Sequence, residues 1–154
     1  MGTLACELTS HVEPGELLAF YQTQKHPTRA SAEKLEEMIQ QSACFVTARV
    51  EGKVVGIARG VTDGVRGYLA ECKLDPAYQG PAAVTRVDGR VEHDEHGIAM
   101  MMAKHVLQVL RGRGVERIDA LAYGTEVDFC EELGFHRDPT LVVMRLDPAS
   151  LPSD

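Results

Sequence analysis

The sequence contains no apolar run long enough to span a membrane, and its N-terminus lacks the basic and apolar regions of a signal peptide. We therefore expect a cytoplasmic protein with no membrane partner. The four cysteines are widely spaced and form no Cys-x-x-Cys pair, which argues against a zinc site and against a disulfide framework. Free, mostly buried thiols are the simpler expectation.

The sequence also lacks an excess of basic residues. Its 16 Lys and Arg residues against 23 Asp and Glu residues give a net charge of −7, which argues against a nucleic-acid partner. This acidity suits a cationic or amine-bearing substrate. No internal repeat or linker divides the 154 residues, and 44% of them are hydrophobic, so we expect a single domain over residues 1–154.

Hydrophobic periodicity predicts an α/β chain with a mixed sheet, in which both helices and strands occur. The predicted elements are a strand over 4–8, a helix from Pro14 to about Lys25, a helix after the N-cap Ser31, a hairpin of strands 44–50 and 54–61, a strand over 66–74, a helix from Ile98 to Gly112, a strand over 117–122, a helix over 126–133 and a last strand over 141–146. The strand over 117–122 follows a helix that follows a strand, so we expect it to pair in parallel.

One strand and the long helix contain side chains whose burial has to be predicted. Arg59 lies in an otherwise apolar strand, and we expect it to emerge on the solvated face. The long helix has an apolar stripe that includes Met101, Met102 and His105, which we interpret as core residues.

A glycine-rich loop precedes the long helix. The strand over 66–74 ends at Asp75-Pro76, then Gln79-Gly80 opens a loop, and Gly97-Ile98-Ala99 begins the helix. Backbone N–H groups at a helix N-terminus have no intrahelical partner, and the helix dipole favours negative charge there. The sequence therefore suggests a phosphate-bearing ligand.

Four segments in the same order resemble the GNAT superfamily of acyl-CoA-dependent N-acyltransferases: Val55 to Gly64, Leu74 to Gly80, Gly97-Ile98-Ala99, and Asp128 to Phe135. The resemblance implies a twisted mixed sheet of about six or seven strands with helices on both faces. It implies an enzyme that transfers an acetyl group from acetyl-CoA directly to a primary amine of a small molecule or peptide. The alternative is a non-catalytic binding or regulatory module of the same fold.

The resemblance also implies which residues would bind coenzyme A. Gln79, Gly80, Gly97, Ile98 and Ala99 would form a loop around its pyrophosphate, called here the predicted phosphate loop. Lys73 and Leu74 would lie along the pantetheine arm, and backbone donors near Leu74 would steady the oxyanion of the reacting carbonyl.

Three residues are candidates for catalysis. Cys130 stands where the family commonly has a tyrosine that protonates the departing thiolate; it is either that acid or a small buried residue without a role. Tyr123 is a substitute acid. Glu71 is the candidate general base, or else an ordinary exposed carboxylate.

The sequence departs from the family between Gly80 and Gly97, where residues 81–96 are inserted. Alternating apolar residues around Asp88-Gly89 predict a β-hairpin over 81–95. Such a hairpin would close over coenzyme A, shape the acceptor pocket, mediate a homodimer, or spoil cofactor binding. His93 to His96 are consecutive and would need an unusual turn to converge on one ion, so no metal is expected.

Overall fold

A computed structural model of the chain describes residues 5–22, 24, 28–80 and 89–153. Its helices and strands, in chain order, are β1 (Glu7–Thr9), α1 (Pro14–Gln22), α2 (Ala32–Gln41), β2 (Cys44–Val50), β3 (Lys53–Thr62), β4 (Arg66–Leu74), α3 (Ile98–Gly112), β5 (Arg117–Ala120) and α4 (Val127–Leu133). Among these residues, no helix is both long enough and apolar enough to cross a membrane.

The strands form one mixed sheet in the order β1-β2-β3-β4-β5. The first four strands are antiparallel neighbours, whereas β5 pairs in parallel with β4 after the crossover through α3. The predicted hairpin of β2 and β3 is confirmed. Its turn uses left-handed backbone at Glu51 and Gly52, with φ of 52° and 78°.

Helices pack on both faces of the sheet, as the resemblance implied. On one face, α3 lies so close to β3 that a Cβ atom at Gly60 would sit 2.7 Å from Cγ1 of Val106. On the other face, Leu17 of α1 and Leu35 of α2 belong to the same buried cluster as Ile57 of β3. The mixed α/β architecture with helices on both faces is therefore confirmed.

The apolar stripe of α3 is narrower than its sequence suggests. Ile98, Met102 and Val106 are fully buried, but Met101 is 42% exposed and His105 is also exposed. Positions four residues apart stay on one face of a helix, and the steps from Ile98 through Met102 and Val106 follow that rule. The interpretation of Met101 and His105 as core residues was wrong.

The sheet has fewer strands than predicted. Residues 141–146 form no strand, and all five of their apolar side chains are exposed, between 60% and 87%. The continuous apolar run from Leu141 to Met144 favours extended backbone, but a strand also needs a partner with which to form a ladder. The only strand beyond β4 is β5, which has four residues and ends at Ala120, among the residues that the structure describes.

Only the second part of the predicted β-hairpin over 81–95 belongs to the described residues. Residues 81–88 lie outside the described residues. Residues 89–95, which would form its second arm, contain no strand. Val91 is instead fully buried in the main core, so this part of the insert packs against the domain.

Candidate active site

The sheet opens where β4 outlasts β5. The parallel ladder between them runs from Arg66–Arg117 to Leu69–Ala120, and β4 then continues to Leu74 without a β5 partner. The edge of β4 over Ala70–Lys73 therefore has no neighbouring strand among the described residues on that side. We call this stretch the open edge.

A cleft of about 380 Å³ lies along the open edge. It is lined by Leu69, Ala70, Glu71, Cys72, Lys73, Arg90, Ala120, Leu121, Ala122, Tyr123, Glu126, Phe129, Cys130, Val143 and Arg145. The cleft thus brings all three predicted catalytic residues, Glu71, Cys130 and Tyr123, to one place, together with Lys73.

Glu71 is held from two directions. The Tyr21 hydroxyl of α1 donates to Oε1 and Oε2 of Glu71, at 3.0 and 2.9 Å. Arg59 Nε of β3 donates to Glu71 Oε1 at 2.7 Å, because Arg59 and Glu71 are paired across the β3–β4 ladder. The carboxylate is 17% exposed. It is neither a freely exposed strand side chain nor isolated in the core.

Tyr21 stays protonated in this arrangement. Burial, followed by the charge of Glu71 and the hydrogen bond to it, raises the pKa of the phenol. A protonated hydroxyl can donate to the carboxylate at every ordinary pH, so Tyr21 orients Glu71 without competing with it for a proton.

Cys130 of α4 is half-buried in the cleft. Burial, together with the nearby charge of Glu126, raises the pKa of its thiol. The thiol is therefore mainly protonated at neutral pH, the form in which a sulfur can donate a proton rather than attack.

Tyr123 lies at the mouth of the cleft and is 51% exposed. The guanidinium carbon of Arg90 sits 3.5 Å from the centre of its ring, in a cation–π contact. Its backbone N–H donates to Glu126 Oε1, and the other carboxylate oxygen of Glu126 accepts from the Val91 N–H. Glu126 therefore joins the segment after the insert to the turn that carries Tyr123.

The side chain of Gln79 is buried and fully engaged. Its Nε2 donates to the carbonyls of Leu74 and Arg90, at 2.8 and 2.7 Å, and its Oε1 accepts from the N–H groups of Glu92 and His93. With 1% exposure, this amide links the end of β4 to the segment that follows the insert. No hydrogen-bonding position of the amide is left for a ligand, although its role in cofactor binding stays a prediction.

The two halves of the predicted phosphate loop meet in space despite the insert between them. The Glu95 N–H donates to the Gln79 carbonyl at 3.0 Å, and a Cβ atom at Gly80 would lie 2.9 Å from Glu95 Oε2. Gly97 is the N-cap of α3 in the left-handed region, with φ of 70°. The glycines therefore have the backbone and the proximity that a tight loop needs.

The first turn of α3 already has an anionic partner. Asp94 Oδ1 accepts from the Ala99 N–H at 2.9 Å, and Asp94 Oδ2 accepts from the Met100 N–H at 2.8 Å. Ile98 and Ala99 are themselves buried. Two of the donors that would meet a phosphate are thus bound to a side chain of the same chain.

The backbone of Leu74 is also engaged. Its N–H donates to the Gly89 carbonyl at 3.1 Å, and its carbonyl accepts from Gln79. The predicted role of backbone donors near Leu74 stays a prediction, and the Leu74 N–H itself is already bonded.

Nothing in the described ranges brings three His, Cys, Asp or Glu side chains together as metal ligands. Asp94 instead accepts from N–H groups in the first turn of α3, while Glu95 lies beside Gly80.

Sequence reasoning missed Tyr21, Arg59 and Asp94. Arg59 is not on a solvated face, since its side chain is only 21% exposed and is paired with Glu71. A cation inside an apolar strand, opposite a carboxylate in the next strand of a short hairpin, was the available signal. For Asp94, the signal was an acidic side chain just before a helix start, which is typical of a cap. Tyr21 is 50 residues from Glu71 and gave no such signal.

A mixed sheet that opens between two parallel strands, with a helix N-terminus beside the opening, defines the architecture of a GNAT-like acyltransferase domain. The sequence profile of the acetyltransferase (GNAT) family matches residues 13–135. The chain therefore belongs to the GNAT acetyltransferase family. No curated protein matches the chain in a sequence comparison.

Solved structures share the fold at low sequence identity. An acetyltransferase from Trypanosoma brucei is 18% identical with a TM-score of 0.69, over 93% of this chain and 99% of that one. Glucosamine-6-phosphate N-acetyltransferase from Arabidopsis thaliana is 9% identical with a TM-score of 0.69, over 93% and 99% of the two chains. An aminoglycoside acetyltransferase from an uncultured soil metagenomic sample, in complex with sisomicin, is 14% identical with a TM-score of 0.65, over 94% and 96%.

Proposed function

We propose that this protein is an N-acetyltransferase that moves an acetyl group from acetyl-CoA directly to a primary amine. The observation that carries the proposal is the cleft along the open edge of β4, which has a polar carboxylate and a protonated thiol among its walls. Family membership supports acyl transfer, and the acceptors named for two similar folds, glucosamine-6-phosphate and an aminoglycoside, both carry amines.

The residues present fit a pantetheine thioester at the cleft. The edge of β4 over Ala70–Lys73 that faces away from β3 has no partner strand among the described residues, and its backbone can hydrogen-bond an amide-bearing arm in the way that an added strand would. Acetyl-CoA would supply an activated acyl group as a thioester. At the pyrophosphate end, Asp94 occupies two of the α3 donors that a phosphate would use.

Glu71 is the group that would take the proton from the acceptor amine. An amine must be neutral to attack a carbonyl carbon, and a carboxylate within reach can remove its proton. Glu71 Oε1 already accepts from Arg59 and Tyr21, whereas Oε2 accepts from Tyr21 alone. Oε2 therefore keeps a lone pair for the substrate.

Cys130 would return a proton to the departing thiolate sulfur when the carbon–sulfur bond breaks. Its raised pKa keeps it protonated until that moment. Tyr123 is the second candidate for this step, because its hydroxyl belongs to the same cleft. No covalent acyl-enzyme is needed, since the amine receives the acyl group directly.

The acceptor class follows from the same cleft. A small-molecule or peptide amine would approach Glu71 from the α1 side, where Tyr21 lies. The net charge of −7 favours cationic acceptors over anionic ones by long-range attraction. Nothing in the cleft requires a metal for amide formation by this route.

Calorimetric titration with acetyl-CoA tests the proposal, with coenzyme A and desulfo-CoA as reference ligands. We expect binding of acetyl-CoA, followed by turnover in a screen of amine acceptors. Ala122→Trp should abolish binding by filling the cleft, whereas Ala149→Trp, on an exposed turn outside it, should not. Absence of binding up to millimolar ligand would instead favour a non-catalytic module with this fold.

A further inference from the structure

We infer that Asp94 sets the donor specificity of this protein by competing with the donor's pyrophosphate for the N-terminus of α3. The inference rests on the proposed function and deepens it. It predicts that Asp94 weakens the binding of acyl-CoA. It also predicts that Asp94 does not weaken the binding of a pantetheine thioester, which has no pyrophosphate.

The first step is the hydrogen bonding of Asp94. Each of its carboxylate oxygens accepts from a different backbone N–H, those of Ala99 and Met100 in the first turn of α3. Charged acceptors form the stronger class of such bonds, and the helix dipole adds to their stability. An incoming phosphate would have to break both bonds before it could use the same donors.

The second step is that the backbone holds this carboxylate in place. The Gly97 N–H donates to the Asp94 carbonyl at 3.0 Å, and the Glu95 N–H donates to the Gln79 carbonyl at 3.0 Å. The main chain on both sides of the Asp94 side chain is thus tied to the loop.

The third step is the charge beside the loop. Glu95 places its carboxylate next to Gly80, where a Cβ atom would be only 2.9 Å from Oε2. Asp94 and Glu95 therefore present two acidic side chains at the two halves of the predicted phosphate loop. A pyrophosphate adds further negative charge there, and like charges at this separation repel.

The cleft, by contrast, carries no such obstacle. The open edge lies on β4, and the cleft lining combines apolar side chains with two carboxylates, Glu71 and Glu126, and three cations, Lys73, Arg90 and Arg145, so that its acidic groups are outnumbered. A neutral pantetheine arm would meet the cleft but not Asp94. Asp94 should therefore affect the binding of the pyrophosphate but not that of the pantetheine arm. A donor that has the arm and lacks the pyrophosphate can test this.

The experiment compares acetyl-CoA with acetyl-pantetheine in calorimetric titrations of the wild type, Asp94→Ala and Asp94→Asn. We expect Asp94→Ala to bind acetyl-CoA about tenfold more tightly, which corresponds to about 1.4 kcal/mol. Acetyl-pantetheine should bind all three proteins with the same affinity. Asp94→Asn, which can still cap the helix without charge, should shift acetyl-CoA affinity in the same direction by less.

Glu36→Ala is the matched control, because it removes one negative charge from an exposed position on α2. It should leave both affinities unchanged. Circular dichroism and thermal melts establish that each variant is folded, and Asp94→Asn serves as the working variant if the alanine variant is not.

Each outcome has a defined meaning. Equal or weaker acetyl-CoA binding by both folded Asp94 variants, with the wild type binding well, overturns this inference and leaves the proposed function standing. An equal gain in acetyl-pantetheine affinity in the Asp94 variants also overturns it, because the effect of Asp94 would then not involve the phosphates. No heat with any donor and any variant overturns the proposed function and this inference together.

Discussion

The cleft has two chemically different sides. On the side of α1, Glu71 is fixed by Tyr21 and Arg59, which come from two other elements. On the side of α4, Cys130 is a half-buried thiol with a raised pKa, and Tyr123 is half-exposed. The proton acceptor is thus held in one orientation by tertiary contacts, whereas two candidate proton donors share the other side. We therefore expect single substitutions on the α1 side to lower turnover more than single substitutions on the α4 side.

The largest expected effect is that of Glu71→Gln. The amide cannot accept a proton, so turnover should fall by about 10² to 10⁴-fold, the usual contribution of a general base. Acetyl-CoA affinity should stay unchanged, because the carboxylate does not contact the phosphate end. Steady-state kinetics with an amine acceptor at neutral pH would check the turnover, and calorimetric titration would check the affinity for acetyl-CoA. A rate within twofold of wild type would remove Glu71 from the mechanism.

Tyr21→Phe should have the next largest effect. It deletes the hydroxyl that orients Glu71 but keeps the packing of the ring, so we expect kcat to fall about tenfold, as for the loss of one charge-assisted hydrogen bond. The KM for acetyl-CoA should not move.

Tyr68→Phe is the control for that variant, since Tyr68 is a partly exposed tyrosine on the same strand as Glu71. It should behave as wild type. If Tyr21→Phe lowered only the melting temperature and left kcat alone, the hydroxyl would be structural rather than a positioning group.

Cys130→Ala should have a smaller effect, because the Tyr123 hydroxyl offers a second proton donor in the same cleft. We expect kcat to fall less than about tenfold with unchanged acetyl-CoA affinity, and Cys130→Ala combined with Tyr123→Phe to lose more than either alone. Cys44→Ala is the control, as another half-buried thiol whose pKa is raised by burial but which lies outside the cleft. Full activity of the double variant would exclude both side chains as the acid.

The smallest expected effect concerns stability away from the cleft. The hydrogen bond from Arg49 of β2, aided by the Glu13 N–H, lowers the pKa of Glu16 in α1 to about 2. The folded pKa lies below the ordinary value of 4.5, so this pair stabilises the fold above about pH 4.5 and loses its effect as the pH falls towards 2.

Thermal melts from pH 5 to pH 2 should therefore show a slightly shallower decline for Glu16→Gln than for the wild type. The pair is partly exposed, so the difference should shrink further in high salt. Identical slopes at low salt would mean that the pair contributes nothing measurable to stability.

The regular elements could largely be predicted from the sequence, because local rules determine them. Ser31 caps α2 by accepting from the Lys34 N–H, and Gly134 ends α4 in left-handed backbone with φ of 105°. The bounds of β4 and α3 agree with the prediction for the same reason. The last strand failed because residues 141–146 carry the right pattern but have no partner strand in the described structure.

The site was predictable only in part. Family resemblance named Glu71, Cys130 and Tyr123, and the structure brings all three to one cleft. Their catalytic roles stay predictions. Tyr21 could not be found, because its contact with Glu71 depends on how α1 docks on the sheet and has no sequence periodicity. The hydrogen bonding of the predicted phosphate loop could not be foreseen either, since whether Asp94 faces α3 or solvent depends on how the insert returns to the domain.

Gln79 has a consequence for the chain entropy of the insert. Its buried amide donates to the carbonyls of Leu74 and Arg90, and the Leu74 N–H donates to the Gly89 carbonyl. These bonds hold the end of β4 close to residues 89 and 90. Once a loop's ends are fixed, doubling its length costs only about 0.6 kcal/mol in closure entropy. The contacts of Gln79 and Gly89, more than the length of chain between them, therefore determine how far the insert destabilises the fold.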